Sequence, residues 1–342
     1  MNHQTLRDTA TKMFASDKGL LAMDESNPTA NKRFAALGIP QTVEMRRAYR
    51  DLIVNAAGLG DAIGGAILYD ETIRQATHDG TPFALALERA GIFPGIKVDA
   101  GARPLALHAG ELVTEGLDGL RERLAEYARM GARFAKWRAV ITLDETKDAP
   151  SRGCLEANAH ALARYAALCQ EAGIVPIVEP EVLMDGAHTL QRCYEATERA
   201  LHVLFDELRT QRVWLEGTIL KPNMVVPGLK CGTQNTADEV ADATIQCFRR
   251  AVPAAVAGIA FLSGGQSAAD ASARLNAMNA RHKGTLPWPV AFSFARAIQD
   301  PAMKAWGGKD GNVAAAQKAL VERAHLNRLA RRGEYTPAME DR

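Results

Sequence analysis

Eight short runs dominated by apolar residues recur along the chain, each separated from the next by a helical or loop stretch. They cover residues 19–24 (GLLAMD), 63–70 (IGGAILYD), 93–99 (FPGIKVD), 134–141 (FAKWRAVI), 174–180 (IVPIVEP), 217–224 (GTILKPNM), 257–264 (AGIAFLSG) and 289–295 (PVAFSFA). Near-continuous apolar runs of this length are what parallel strands covered on both faces require. The intervening segments carry the helical period. Leu120, Leu124 and Tyr127 form one stripe in 117–130, with Arg and Glu opposite, and 187–209, 236–251 and 267–280 read the same way. Ser267 followed by Asp270 is a variant capping box at the start of the last of these.

No Pro/Ser-rich linker or change of composition interrupts the alternation. Eight βα units in one chain of 342 residues therefore predict an α/β fold, a single (β/α)8 TIM barrel over 1–342, with a short flexible segment at about 331–342. A doubly wound sheet is the competitor, but its dinucleotide fingerprint is missing. Gly58 and Gly60 lack the third glycine and precede a strand instead of following one. With 41 Lys plus Arg against 40 Asp plus Glu, the net charge of +1 gives no bulk attraction for nucleic acid or a membrane surface. The five cysteines, Cys154, Cys169, Cys193, Cys231 and Cys247, form no Cys-x-x-Cys pair and read as reduced thiols of a cytoplasmic protein. No apolar run approaches a membrane span, and residues 1–18 carry Asp8 and Asp17 in place of a secretory segment.

The charges sort to the C-terminal ends of the runs, which in a barrel form the catalytic face. Asp24 ends the first; Lys97 and Asp99 end the third; Lys136 and Arg138 lie in the fourth; Glu179 and Glu181 end the fifth; Lys221 lies late in the sixth. Ser263 and Gly264 end the seventh, and Ser293 with Arg296 ends the eighth. Residues two apart on a strand share a face, so Lys136 points with Arg138 and Glu179 with Glu181. Any one of these taken alone is more readily a solvated loop charge. Seven of eight strand ends converging on one mouth predict an active site. Within it Lys221 is the chemical focus, because a lysine in an apolar strand is pressed toward its neutral, carbonyl-attacking form.

These residues resemble a known family, the class I (Schiff-base) fructose-1,6-bisphosphate aldolases. The resemblance rests on LAMDES (21–26), GIFPGIKVDAG (91–101), FAKWR (134–138), PIVEPEVL (176–183), LKPNMV (220–225), FLSGGQS (261–267) and FSFAR (292–296), in the family's order. It implies reversible cleavage of fructose 1,6-bisphosphate to dihydroxyacetone phosphate and glyceraldehyde 3-phosphate, in glycolysis and gluconeogenesis, with no cofactor and no metal. By position, Lys221 corresponds to the Schiff-base lysine, Glu179 to the acid/base, Asp24 to the group orienting the C4 hydroxyl and the lysine, and Lys136 to a second cation lowering the Lys221 pKa. Arg138 and Glu181 read as second-line partners or equally as a structural ion pair. Ser263, Gly264, Gly265, Ser293 and Arg296 are implied to hold the ketose C1 phosphate. Ser26, Thr29, Lys32, Arg33 and Lys97 are implied to meet the far phosphate, with Lys32 and Arg33 equally legible as solvated helix charges.

The family also implies phosphorylated sugars as the only ligands and a homotetramer. Three departures stand out: Ser26-Asn-Pro-Thr29 where the best-known members carry a glycine and serine, Ala295 in place of a glycine, and no terminal tyrosine after Tyr335. Other Schiff-base barrels, such as transaldolases, share the lysine but need one phosphate site. A zinc aldolase needs converging histidines, whereas His108, His160, His188 and His202 are scattered in the sequence. A non-catalytic barrel would not be expected to keep Asp24, Lys136, Glu179 and Lys221 together.

Overall fold

A computed structural model describes residues 2–147 and 149–340. The strands are β1 Gly19–Ala22, β2 Ile63–Leu68, β3 Phe93–Lys97, β4 Gly101–Pro104, β5 Leu112–Glu115, β6 Phe134–Ile141, β7 Val175–Val182, β8 Ile219–Leu220, β9 Gly258–Phe261 and β10 Val290–Phe294. The longer helices are α1 His3–Met13, α2 Asn27–Ala35, α3 Val43–Val54, then α4 Asp70–Ile73, α5 Phe83–Arg89, α6 Leu120–Arg129, α7 Arg152–Glu171 and α8 Leu190–Thr210. They end with α9 Ala237–Ala251, α10 Ala268–Arg281, α11 Arg296–Trp306 and α12 Val313–Arg332. Eight strands close into a parallel barrel in the order β1-β10-β9-β8-β7-β6-β3-β2. The chain therefore forms the expected (β/α)8 barrel, and every barrel strand lies inside or beside a run read from the sequence.

The antiparallel β4–β5 hairpin lies outside the barrel and was not anticipated. Its strands are four residues each, half-exposed and too short to show a period. The capping signals form as chemistry demands. The Ser267 hydroxyl accepts the Asp270 N–H at 3.0 Å, while Thr236, unnoticed in the sequence, makes a full box with Glu239 on α9.

Strand parity sets what reaches the mouth. On β6, Trp137 faces outward and packs on Tyr165 of α7, with ring centroids 5.6 Å apart. Phe134 of the other parity joins an interior cluster with Leu20, Ala22, Ile67, Val175, Ile177, Ile219, Ala260 and Ala291. Leu6, Ala10 and Met13 of α1 close that cluster from the N-terminal end of the barrel. Phe134 needs room from its neighbour: a Cβ added at Gly95 would lie 2.2 Å from its ring. Two residues beyond these interior apolar positions come Asp24, Tyr69, Lys136, Glu179, Lys221, Leu262 and Ser293, all lining one cavity. The change from hydrocarbon to charge follows from the period of two.

The C-terminal segment is docked as far as Glu340. Tyr335 is buried, its hydroxyl donates to Glu340 at 2.7 Å, and Glu340 pairs with buried Arg323 at 2.5 Å. The last two residues of the expected flexible segment lie outside the described residues. Among the described residues no helix is long and apolar enough to cross a membrane.

Candidate active site

The C-terminal mouth of the barrel holds a cavity of about 450 Å³. Lys221 stands at its floor, buried, because Pro222 has no N–H to extend the ladder and β8 stops there. The Lys221 N–H still donates to the Val178 carbonyl at 2.8 Å, so its backbone keeps strand register. The ammonium lies 3.1 Å from Glu179 Oε1 on the adjacent strand β7. Lys136 of β6 lies between two carboxylates, 2.7 Å from Asp24 Oδ2 and 3.2 Å from Glu179 Oε2. Four charges thus form a chain, three of them buried and Asp24 nearly so, and two lysines balance two carboxylates. Stripping such groups of water costs several kcal/mol each, which only close pairing offsets.

Burial opposes ionisation of Asp24, but the charges of Lys136 and then Lys221 outweigh it and lower its pKa to about 2. Glu179 follows the same pattern: burial raises its pKa, and the charges of Lys136, Lys221 and Arg138 overcome that and hold it below the usual glutamate value. Burial disfavours the Lys136 ammonium, while Asp24 and then Glu179 more than compensate, so its pKa is raised. Its charge is matched on both sides.

Two of the side chains lining the cavity each carry a buried polar atom without a hydrogen-bond partner among the described residues. Glu179 Oε2 sits at ion-pair distance from Lys136 but is not aligned as a hydrogen bond, and Ser293 Oγ has no partner. Unsatisfied buried groups are rare in native folds and call for a reason. Both belong to residues lining the cavity.

The two ends of the cavity differ. At one, Gly264 (φ 59°) and Gly265 (φ 107°) take consecutive left-handed conformations that a side chain would strain. The loop they form is closed by the Gln266 N–H donating to the Ser263 carbonyl at 3.0 Å. Ser263, Gly264 and Arg296 line the cavity there, Arg296 as the first residue of α11, while Gly265 abuts the Arg296 guanidinium without lining it. Ala295 keeps φ at −102°, so no glycine conformation is needed at that departure. A left-handed glycine turn, a helix start and a guanidinium with no ion pair among the described residues can together hold an anion.

At the other end Ser26 Oγ and Thr29 Oγ1 lie 3.0 Å apart, and Lys97 is tied to Asp99 at 2.6 Å. Arg33 lines the cavity but spends its guanidinium on Glu25 and, at 2.8 Å, on Asp300. Lys32 stays exposed on α2 and does not line the cavity. Arg138 pairs with Glu181 at the rim.

The family model described as fructose-bisphosphate aldolase class-I matches residues 5–342. The chain belongs to the class I fructose-bisphosphate aldolase family. A probable fructose-bisphosphate aldolase class 1 of Xanthomonas campestris pv. campestris is 56% identical over 337 residues, 98% of this chain and 99% of that protein. Fructose-bisphosphate aldolase C-B of Danio rerio is 47% identical over 331 residues, 96% of this chain and 90% of that one. The solved ternary structure of fructose-bisphosphate aldolase from Plasmodium falciparum, in complex with TRAP and a small molecule inhibitor, superposes with a TM-score of 0.95 at 44% identity. That match covers 97% of this chain and 95% of the other. The protein is thus an enzyme of the aldolase type.

Several residues of this aldolase mouth escaped the sequence reading of site roles. Asp99, buried, accepts the Arg138 N–H at 3.2 Å and the Gly101 N–H at 3.1 Å, joining β3 to β6 and to the hairpin. Asn223, inside the LKPNMV motif, accepts the Val182 N–H at 3.0 Å and donates to Thr197 of α8 at 3.1 Å, tying the end of β8 to β7. Glu25 sits beside Asp24 and pairs with buried Arg50 at 2.7 Å. The motif letters were visible in each case; the partners, 25 to 41 positions away in the sequence, were not. Of the eight histidines, the four weighed as zinc ligands lie on the hairpin loop (His108), α7 (His160), before α8 (His188) and on α8 (His202).

Proposed function

We propose that the enzyme cleaves fructose 1,6-bisphosphate reversibly to dihydroxyacetone phosphate and glyceraldehyde 3-phosphate through a Schiff base on Lys221. The supporting observation is the buried Lys221–Glu179 contact of 3.1 Å, with Glu179 held ionised and so able to take the ammonium proton. The freed amine attacks the C2 ketone, and protonated Glu179 returns its proton to the carbinolamine hydroxyl, which leaves as water. Glu179, again a carboxylate, removes the C4 hydroxyl proton. The C3–C4 bond breaks, its electrons pass to the iminium, and glyceraldehyde 3-phosphate departs. The same carboxyl then protonates the enamine at C3, and water releases dihydroxyacetone phosphate.

Asp24 and Lys136 supply a fixed, balanced field around these transfers. The Ser263–Gly265 loop, Ser293 and Arg296 hold the ketose C1 phosphate. Ser26, Thr29 and Lys97 meet the far phosphate, with Arg33 available only on leaving its carboxylates and Lys32 outside the cavity. Arg138 and Glu181 shape the rim. In this reading the enzyme is a cytoplasmic homotetramer serving glycolysis and gluconeogenesis, with no metal or cofactor in the reaction.

Borohydride reduction in the presence of fructose 1,6-bisphosphate, followed by peptide mapping, is expected to label Lys221 and abolish activity. Labelling of another lysine, or activity that EDTA removes and zinc restores, overturns the mechanism.

A further inference from the structure

Beside the mouth, and reaching it through Glu25 and Arg33, lies a polar cluster that makes no hydrogen bond to the four catalytic charges among the described residues. Gln299, one turn after Arg296 on α11, is fully buried. Its Nε2 donates to the Ala22 carbonyl at 2.6 Å and to Glu25 Oε1 at 2.8 Å. Arg50 of α3 donates to Glu25 Oε2 at 2.7 Å and reaches Gln299 Oε1 at 3.5 Å. Arg33 donates to Glu25 Oε1, and the Tyr49 hydroxyl donates to the Gln299 carbonyl at 3.3 Å.

The placement of these bonds matters more than their number. One Gln299 amide grips residues 22 and 25, on either side of Asp24, while the Met23 N–H donates to the Ile67 carbonyl at 3.1 Å. The chain is thereby held on both flanks of Asp24, at the Ala22 backbone and through the Glu25 side chain, one residue past the point where the barrel ladder ends. The Asp24 carboxylate must meet Lys136 at 2.7 Å, a separation that a small backbone shift would lose. An apolar side chain at 299 would fill the same space, so packing alone does not call for an amide with two donors used.

We propose that Gln299, backed by Arg50 and Glu25, is a positioning residue that holds Asp24 against Lys136. This rests on the reading that Asp24 and Lys136 serve the Lys221 chemistry. Because Arg296 and Gln299 share one turn of α11, the phosphate cradle and the Asp24 clamp are parts of one rigid element.

The test is a double-mutant cycle on the full-length enzyme. Gln299→Leu, and the isosteric Gln299→Glu should the leucine variant fail to fold, are measured with and without Asp24→Asn. Gln299 substitution is expected to lower kcat about tenfold with KM changed less than about twofold, as misplacement of a catalytic group does. In the Asp24→Asn background the further loss is expected to shrink below about twofold, since the residue it positions is gone. Arg50→Lys, which keeps a cation beside Glu25, is expected to hold kcat within about threefold, while Arg50→Met matches the Gln299 loss. A Gln299 loss of the same size in both backgrounds marks a purely structural role and overturns the proposal. Wild-type kcat in Asp24→Asn alone removes the reading of Asp24 itself, and the proposal with it, before any Gln299 result is consulted.

Discussion

The lower and upper halves of the barrel interior are built on the same strand faces yet obey opposite rules. On β6 the inward positions run Phe134, Lys136, Arg138, and on β7 they run Val175, Ile177, Glu179, Glu181. Below, hydrocarbon from eight strands and α1 excludes water and contributes stability. Above, charges are desolvated almost as completely, with Lys136, Glu179 and Lys221 each only 3% exposed. The lower half gains from burial, whereas the upper half is tolerable only because each charge has an opposite partner near 3 Å. A rigid apolar plug thus supports a site whose own stability contribution is close to neutral.

That contrast can be broken from the top. Lys221→Met, close in volume, is expected to lower kcat more than about 10⁴-fold, as loss of a covalent nucleophile does, with Tm lowered because Asp24 and Glu179 are left to share Lys136. Substantial residual turnover would place the nucleophile elsewhere. The converse experiment lies one layer down. Phe134→Ala should cost about 3–5 kcal/mol in urea unfolding, through the cavity it leaves. Its kcat, measured where the variant is still folded, should stay within about threefold, well under 1 kcal/mol of barrier. A collapse of kcat in the folded state would show that the two halves are not separable.

Finer tests sharpen the upper half. Glu179→Gln should reduce kcat on the order of 10²-fold while substrate still binds, as removal of a proton-transfer group does. Asp24 is held at a pKa of about 2 against an ordinary value of 3.8, so its ionised form is favoured by folding. Its stabilisation is complete above the unfolded value and fades as pH falls toward 2. Wild type should accordingly lose about 1 kcal/mol more than Asp24→Asn between pH 5 and pH 3 in urea titrations. Equal acid sensitivity would remove the Asp24–Lys136 pair from the electrostatic account. At the Gly264 end of the cavity, Arg296→Ala should raise KM about tenfold with kcat little changed, by removing one charge-assisted phosphate contact. An unchanged KM for the bisphosphate would relocate the phosphate.

The barrel strands were legible because each is an apolar run stopped by a charge, serine, glycine or proline, a signal local to five or six residues. The hairpin was not, since Gly101–Pro104 and Leu112–Glu115 are short, half-exposed and held by each other more than by the core. Among site residues, Asp24, Lys136, Glu179 and Lys221 could be picked out because a charge within an apolar run is conspicuous. Glu25 and Gln299 could not. Glu25 looks like one more polar residue after a strand, and Gln299 like one more polar residue in a helix, until the fold brings them within 2.8 Å.

The sequence by itself determined the α/β alternation, the parity that turns certain side chains inward, and the chemical types gathered at the mouth, all properties of segments shorter than ten residues. Only the tertiary structure decided which charge meets which. It set Lys136 between Asp24 and Glu179, directed Arg33 to Glu25 and Asp300, and left Lys32 outside the cavity. The reason is that a buried charge is governed by neighbours within a few ångströms and by how much water remains around it. In a closed barrel those neighbours come from strands and helices as far apart in sequence as Ala22 and Gln299.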